Sequence, residues 1–185
     1  MGTRLFVSID LDGLGEGVAG VQESFEGIPG LNLTDPDQAH VTLQFLGDTS
    51  DHRVDEVTEA LAAAVDAADV EPFTAEFAGL GVFPTLEYIS VVWLGVEAGS
   101  AEMTRLQAAI EPRLVELGFE EADHEFTPHV TLARMEHAGG KERVREIVRE
   151  RDPAAGEMEV AEIRLTASEL EADGPRYSTV ERFAL

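Results

Sequence analysis

The tetrapeptide His-Val-Thr-Leu occurs twice, at residues 40–43 and 129–132. Side chains along a strand alternate faces, so His40 and Thr42 point one way while Val41 and Leu43 point the other. The same holds for His129 and Thr131 against Val130 and Leu132. Each copy is a half-buried strand whose apolar pair anchors it and whose polar pair faces a shared surface. A lone His beside a Thr is ordinarily a solvent-facing or hydrogen-bonded histidine. With average residue usage, however, Val-Thr-Leu follows a given His about once in 10⁴ cases. Two copies in a chain with five histidines therefore point to a duplication. A duplication kept for packing alone would need only the valines and leucines.

If the two halves oppose their His faces, a cleft holds two imidazoles and two hydroxyls. Imidazole titrates near pH ~6.5, so around neutrality one ring can be neutral, as general base, while the other is protonated, as general acid. That pair suits in-line displacement at phosphorus. One His takes a proton from the attacking water and the other returns one to the leaving oxygen. Thr42 and Thr131 could donate to the non-bridging oxygens. Two His with two hydroxyls make a poor zinc site, and no HExxH or His-carboxylate cluster accompanies them, so no metal or other cofactor is expected. A G-x-S-x-G elbow and a P-loop are absent as well.

Strands and helices must position these residues. Residues 4–10 alternate as a strand, and 13–27 carry Val18, Val21 and Phe25 at the spacing of a glycine-diluted helix. A turn at 34–38 leads into the first motif strand, expected to end at Gly47-Asp48. Ser50 is the expected N-cap of a helix with Val54, Val57, Leu61, Val65 and Ala68 on one face. Two strands, 73–83 and 88–96, form a hairpin through Pro84-Thr85. Leu106, Ile110, Leu114 and Leu117 mark a helix that Pro112 should kink or shorten. Pro128 biases Thr127 towards extended geometry before the second motif strand. After Gly139-Gly140 a short helix carries Val144, Ile147 and Val148 up to Asp152-Pro153. Residues 158–170 and 177–185 read as two closing strands around Asp173-Gly174-Pro175. Strands that are adjacent in sequence, mixed with helices, predict an α+β fold with antiparallel sheets. The chain reads as one domain, 1–185, of two related halves with one motif each.

The composition is globular, and no apolar run approaches the roughly 20 residues that span a bilayer. The N-terminus lacks the h-region and cleavage site of a signal peptide. There are no cysteines, which removes disulfides, thiolate nucleophiles and Cys-based metal sites. A soluble, cytoplasmic, monomeric protein without membrane or protein partners is the expectation. Its net charge is −24, from 37 acids and 13 bases, of which only Lys141 is lysine. In dilute buffer such a surface repels itself and polyanions, whereas near 1 M salt the Debye length falls to about 3 Å. A halophilic habitat follows.

These residues, with RLFVSIDL at the start, HVTLQFLGD, the GVFP and VVWLGV pair, FTPHVTLAR, LTASEL and GPRYSTVERFAL, resemble the two-histidine (2H) phosphoesterases nearly end to end. Within them the chain looks like the RNA 2',3'-cyclic phosphodiesterases, historically called 2'-5' RNA ligases. The resemblance implies a bilobal α+β fold, with two antiparallel sheets and flanking helices related by pseudo-twofold symmetry around a central cleft. It implies His40 as general acid to the leaving 3' oxygen, His129 as the base that activates water, and a 2'-phosphate product. Thr42 and Thr131 match the phosphate-holding hydroxyls, and Arg134 an arginine on the phosphate. Strict alternation puts Arg134, five residues past His129, on the opposite face, so a bulge or strand end must return it.

Phe6, Phe45 and Phe83 are candidates for stacking a nucleobase. Phe45 shares the expected core face of Val41 and Leu43, which favours packing there. His52, His124 and His137 match no role and are expected exposed in loops or at a helix end. The scarcity of bases argues against tight binding of long RNA and for a terminal cyclic phosphate or a short oligonucleotide. Two other functions use the same cleft: the reverse 2'-5' ligation, and a nucleotide-binding module that does no chemistry.

Overall fold

Aliphatic and aromatic residues in near alternation make a strand, β1 (Gly2–Asp10), that the computed structural model, which describes residues 2–185, pairs on both edges. The other strands are β2 (Leu31–Leu33), β3 (His40–Ser50), β4 (Phe73–Pro84), β5 (Ile89–Val96), β6 (His129–Met135), β7 (Ala154–Val160), β8 (Glu162–Glu171) and β9 (Gly174–Ala184). The helices are α1 (Gly15–Gln22), α2 (Val54–Ala68), α3 (Ser100–Glu116) and α4 (Lys141–Glu150). None of them is long and apolar enough to cross a membrane.

All pairings are antiparallel, in the order β7-β4-β5-β6-β3-β1-β8-β9, with β2 also against β6. Within that order the chain passes twice through strand, helix, motif strand, helix: β1-α1-β3-α2 and β5-α3-β6-α4. The two arms meet where β3 pairs with β6 through one registered pair, Val41 opposite Val130. The two expected sheets are thus arms of one curled sheet, and the pseudo-twofold relation runs through that pair. Val41 and Val130 are fully buried in a continuous core with Val18 of α1, Leu61 of α2, Ile110 of α3 and Val144 of α4. Burying the apolar face of each helix against this core is the main stabilisation of these elements. α1 lies directly on β7, because Gly17 has no side chain; a Cβ there would sit 1.9 Å from the Ala155 carbonyl oxygen.

Several local expectations change. β3 does not end at Gly47-Asp48 but continues to Ser50, with Gly47 at φ 73° beside a bulge at Leu46. Ser50 precedes a 3-10 turn, Asp51–Arg53, rather than capping α2, and its side chain makes no capping bond. α3 runs through Pro112 to Glu116, since losing one amide leaves the buried face of Met103, Leu106, Ile110 and Leu114 intact. The stretch expected as one strand over 158–170 breaks at Ala161 into β7 and β8, which lie towards opposite ends of the sheet. Gly174 and Pro175 belong to β9, not to the turn before it.

Candidate active site

Because Val41 and Val130 face the core, the residues on either side of them face the other way. The antiparallel register sets His40 beside Thr131 and Thr42 beside His129 around that seam. All four are partly exposed, while Val41, Leu43, Val130 and Leu132 are buried. The duplicated motif therefore delivers both imidazoles and both hydroxyls to one surface.

Both strands then bulge at the same motif position. In β3, Ser8 pairs with Thr42 and Val7 with Gln44, which leaves Leu43 as the extra residue. In β6, Trp93 pairs with Thr131 and Val92 with Ala133, which leaves Leu132 extra. Each bulge puts two consecutive residues into the core, Leu43-Gln44 and Leu132-Ala133, and reverses the alternation beyond. Arg134 is returned to the face of His129, as an arginine five residues on requires. The same reversal corrects the expectation for Phe45: it occupies the matching position in the other arm, is 68% exposed, and lies on the His40 side, 6.2 Å from Phe6. Arg134 and Phe45 are thus pseudo-symmetric equivalents carrying different chemistry.

The imidazoles are held alike. His40 Nδ1 donates to the Gln38 carbonyl at 2.9 Å and His129 Nδ1 to the Thr127 carbonyl at 2.6 Å, since a carbonyl can only accept. Nε2 is then the nitrogen that exchanges a proton in each ring. Burial pushes both rings below the ordinary imidazole range, against the pull of these carbonyl bonds. The Asp10 carboxylate raises His40, whereas the neighbours of His129, namely His124, His40 and Arg134, all lower it. Asp10 is the one carboxylate among these influences, and it acts on His40. Arg134 also lowers His40, and it opposes the upward push of burial on Tyr177, so its charge acts at the centre of the cleft. Among the described residues no carboxylate pairs with it.

Aromatic rings wall each imidazole. Phe6 lies 5.0 Å from His40 and Tyr177 meets it edge-on at 5.0 Å; Phe83 meets His129 edge-on at 4.9 Å, with Trp93 at 5.9 Å. Phe6 is buried and Phe83 half-buried against these imidazoles, which leaves Phe45 as the most open ring of the three candidates. Gln38 fixes Tyr177 in place: its side chain accepts from the Tyr177 amide and donates to the Pro175 carbonyl. Beside His40 a depression of about 500 Å³ is lined by Asp10, Asp12, Glu16, Asp37, Gln38 and Tyr177 among others. Arg164 stands behind it, bound to Asp10, Asp12 and Glu162 at 2.7, 2.5 and 2.8 Å. Its charge is spent on these partners, so this side of the cleft is acidic.

His52, His124 and His137 are exposed, in a 3-10 turn, in a loop pair with Asp123, and as an acceptor for the Gly139 amide, and of the three only His124 acts electrostatically on His129. Among the described residues no three His, Asp or Glu side chains converge as metal ligands would. Sequence reasoning missed Tyr177, Trp93 and Asp10. The only available signals were the lone tryptophan and the alternation of β1, which sets Asp10 on the face of Phe6 and Ser8.

A family model described as the 2'-5' RNA ligase superfamily matches residues 30–171. The RNA 2',3'-cyclic phosphodiesterase of Methanothermobacter thermautotrophicus is 31% identical over 188 residues, covering 100% of both chains. That of Aeropyrum pernix is 37% identical over 155 residues, 83% of this chain and 85% of the relative. TT0787 of Thermus thermophilus superposes with a TM-score of 0.79 at 28% identity, over 98% of this chain and 97% of that one. Escherichia coli LigT complexed with 3'-AMP also gives 0.79, at 26% identity, over 100% and 99% of the two chains.

Proposed function

The chain belongs to the 2'-5' RNA ligase superfamily of 2H phosphoesterases, and on that premise we propose that it hydrolyses RNA 2',3'-cyclic phosphate ends to 2'-phosphates by metal-independent acid-base catalysis. The observation that carries this reading is the pair of identically held imidazoles on one face, each offering Nε2, with the guanidinium of Arg134 acting on both. His129 Nε2 takes a proton from water as its oxygen forms the new bond to phosphorus. The bond from phosphorus to O3' breaks in line, and His40 Nε2–H protonates the departing O3', leaving a 3'-hydroxyl and a 2'-phosphate. Thr42, Thr131 and Arg134 hold the non-bridging oxygens as charge grows there.

Phe45 offers its exposed face to the terminal base. The acidic depression beside His40 repels further phosphates, so the substrate is a terminal cyclic phosphate or a short oligonucleotide gripped at its end. The same residues run backwards would join the cyclic phosphate to a 5'-hydroxyl. Water, present at far higher concentration, makes hydrolysis the net direction. The charge of −24 suits a salt-rich cytoplasm, and the cleft is complete within one chain, so the reaction needs no second subunit.

The test is turnover of a nucleoside 2',3'-cyclic phosphate in high-salt buffer with EDTA by wild type, His40→Ala and His129→Ala, with the product isomer identified. Release of the 2'-phosphate, lost by about 10²–10⁴-fold in each variant, is expected. Activity that EDTA abolishes, or that survives either substitution, overturns the mechanism. Intact substrate with wild type would make the cleft a binding site, and dominant ligation when a 5'-hydroxyl end is supplied would reverse the direction.

A further inference from the structure

The bulge that turns Arg134 into the cleft is held by side chains that neither motif contains. A bulge interrupts the ladder and leaves backbone groups in search of partners, and buried carbonyls must find them. Here they find Gln22, the last residue of α1, and Thr34, just beyond β2. The Gln22 side-chain amide is 4% exposed and donates to the Thr34 carbonyl at 2.9 Å and to the Leu132 carbonyl at 3.0 Å. The Thr34 hydroxyl shares its one proton between the carbonyls of Thr131 and Leu132, at 3.0 and 3.1 Å, and the Thr34 amide reaches Leu132 at 2.9 Å. One buried amide thus ties the extra residue of β6 to the neighbouring segment, one residue before Ala133 and two before Arg134.

The opposite arm also has buried glutamines beside its bulge, joined there side chain to side chain rather than to the bulge carbonyl. Gln107 of α3 donates to Oε1 of Gln44, the residue after the bulged Leu43, at 3.4 Å. The buried glutamines, Gln22, Gln44 and Gln107, all lie at the two bulges. The helical ones reach across from the other arm, α1 to β6 and α3 to β3. A glutamine in a core otherwise built of Val, Leu, Ile, Phe and Ala is a costly choice for packing, and a small set of fixed donors is what an off-register carbonyl needs.

We propose that Gln22 and Thr34 form a clasp that fixes the Leu132 bulge and so aims Arg134 at the substrate phosphate; they are positioning residues for the reaction. The inference rests on Arg134 binding that phosphate. Without the clasp the ladder can close past Leu132. By the two-face alternation of a strand, a one-residue slip then turns Arg134 out of the cleft.

The experiment compares Gln22→Leu, Thr34→Val, Thr34→Ser and Arg134→Ala on a nucleoside 2',3'-cyclic phosphate. It also measures inhibition by inorganic phosphate and checks folding by circular dichroism. Arg134→Ala should lose about 10²–10³-fold in kcat/KM and weaken phosphate inhibition. Gln22→Leu and Thr34→Val should each lose about 10- to 100-fold, also with weaker phosphate inhibition. Thr34→Ser, which keeps the hydroxyl, should recover most of the Thr34→Val loss. In the Arg134→Ala background Gln22→Leu should add little, because its effect passes through the missing guanidinium.

If Gln22→Leu and Thr34→Val match wild type while Arg134→Ala is impaired, the clasp is refuted and the role of Arg134 stands. If Gln22→Leu loses as much without Arg134 as with it, the glutamine acts on the fold at large and the proposal fails. Wild-type activity in Arg134→Ala alone would instead remove the phosphate reading. Should Gln22→Leu not fold, the Thr34→Val and Thr34→Ser pair, taken with and without Arg134, decides the question.

Discussion

Phe45→Ala should weaken the handling of substrates that carry a base while leaving the fold unchanged. The ring is 68% exposed. A phenylalanine side chain presents about 200 Å², so roughly 140 Å² of it is open to solvent. A base lying on one face would cover about half of that, roughly 70 Å². At about 25 cal/mol per Å² this is worth about 1.7 kcal/mol, inside the range of about 1–3 kcal/mol found for stacking of a base on an aromatic ring. The expected loss in kcat/KM is therefore roughly 20-fold. The assay compares adenosine 2',3'-cyclic phosphate with ribose 2',3'-cyclic phosphate, which has no base. Only the first should suffer from the substitution, and unfolding stability should move by less than about 0.5 kcal/mol because little of the ring is packed. Equal losses on both substrates, or no loss on the nucleotide, would show that the reversed alternation past Leu43 does not present Phe45 to the ligand.

Both imidazoles are lowered by burial, so the bell of kcat/KM against pH should centre below ~6.5. Asp10 raises His40, the group that must be protonated, so Asp10→Asn should move the alkaline limb to lower pH and leave the acid limb in place; a shift of the acid limb alone would exchange the roles of the two histidines. Arg164→Met strands the carboxylates of Asp10, Asp12 and Glu162, and because these are partly solvated the loss should be about 2 kcal/mol rather than the full value for a buried pair. In a chain of this size that is roughly 4–8 °C in melting midpoint. Burial works to raise Glu162, but the guanidinium groups of Arg164 and Arg182 outweigh it and hold the carboxyl below its ordinary range. The stabilisation is therefore present at neutral pH and lost as pH falls through the carboxylate range, so the gap between variant and wild type should narrow in acid. Gly81→Ala would place a Cβ 2.2 Å from the Trp93 ring and force it off β4, which should shift the emission of this lone tryptophan and lower kcat/KM roughly tenfold or more by disturbing the wall of His129; an unchanged spectrum would refute the contact.

The shared surface of the four motif side chains was legible in the chain itself. Strand alternation puts His40, Thr42, His129 and Thr131 on polar faces whatever the neighbours are, and the repeat of HVTL predicts two equivalent arms. Helices α2 and α3 follow from apolar spacing, because their stabilisation comes from one continuous stripe of buried residues. Three things were decided only by tertiary structure. Which side Arg134 and Phe45 take depends on bulges at Leu132 and Leu43, and a bulge is a mismatch between two strands distant in sequence. No local pattern records that count. The break of 158–170 at Ala161 sends β7 and β8 to different neighbours, although both halves read as strand. Which aromatic rings are open and which wall the imidazoles depends on contacts such as Tyr177 on His40, far away in sequence. Alternation is a property of one strand and survives in the sequence; register belongs to pairs of strands and appears only when the sheet is assembled.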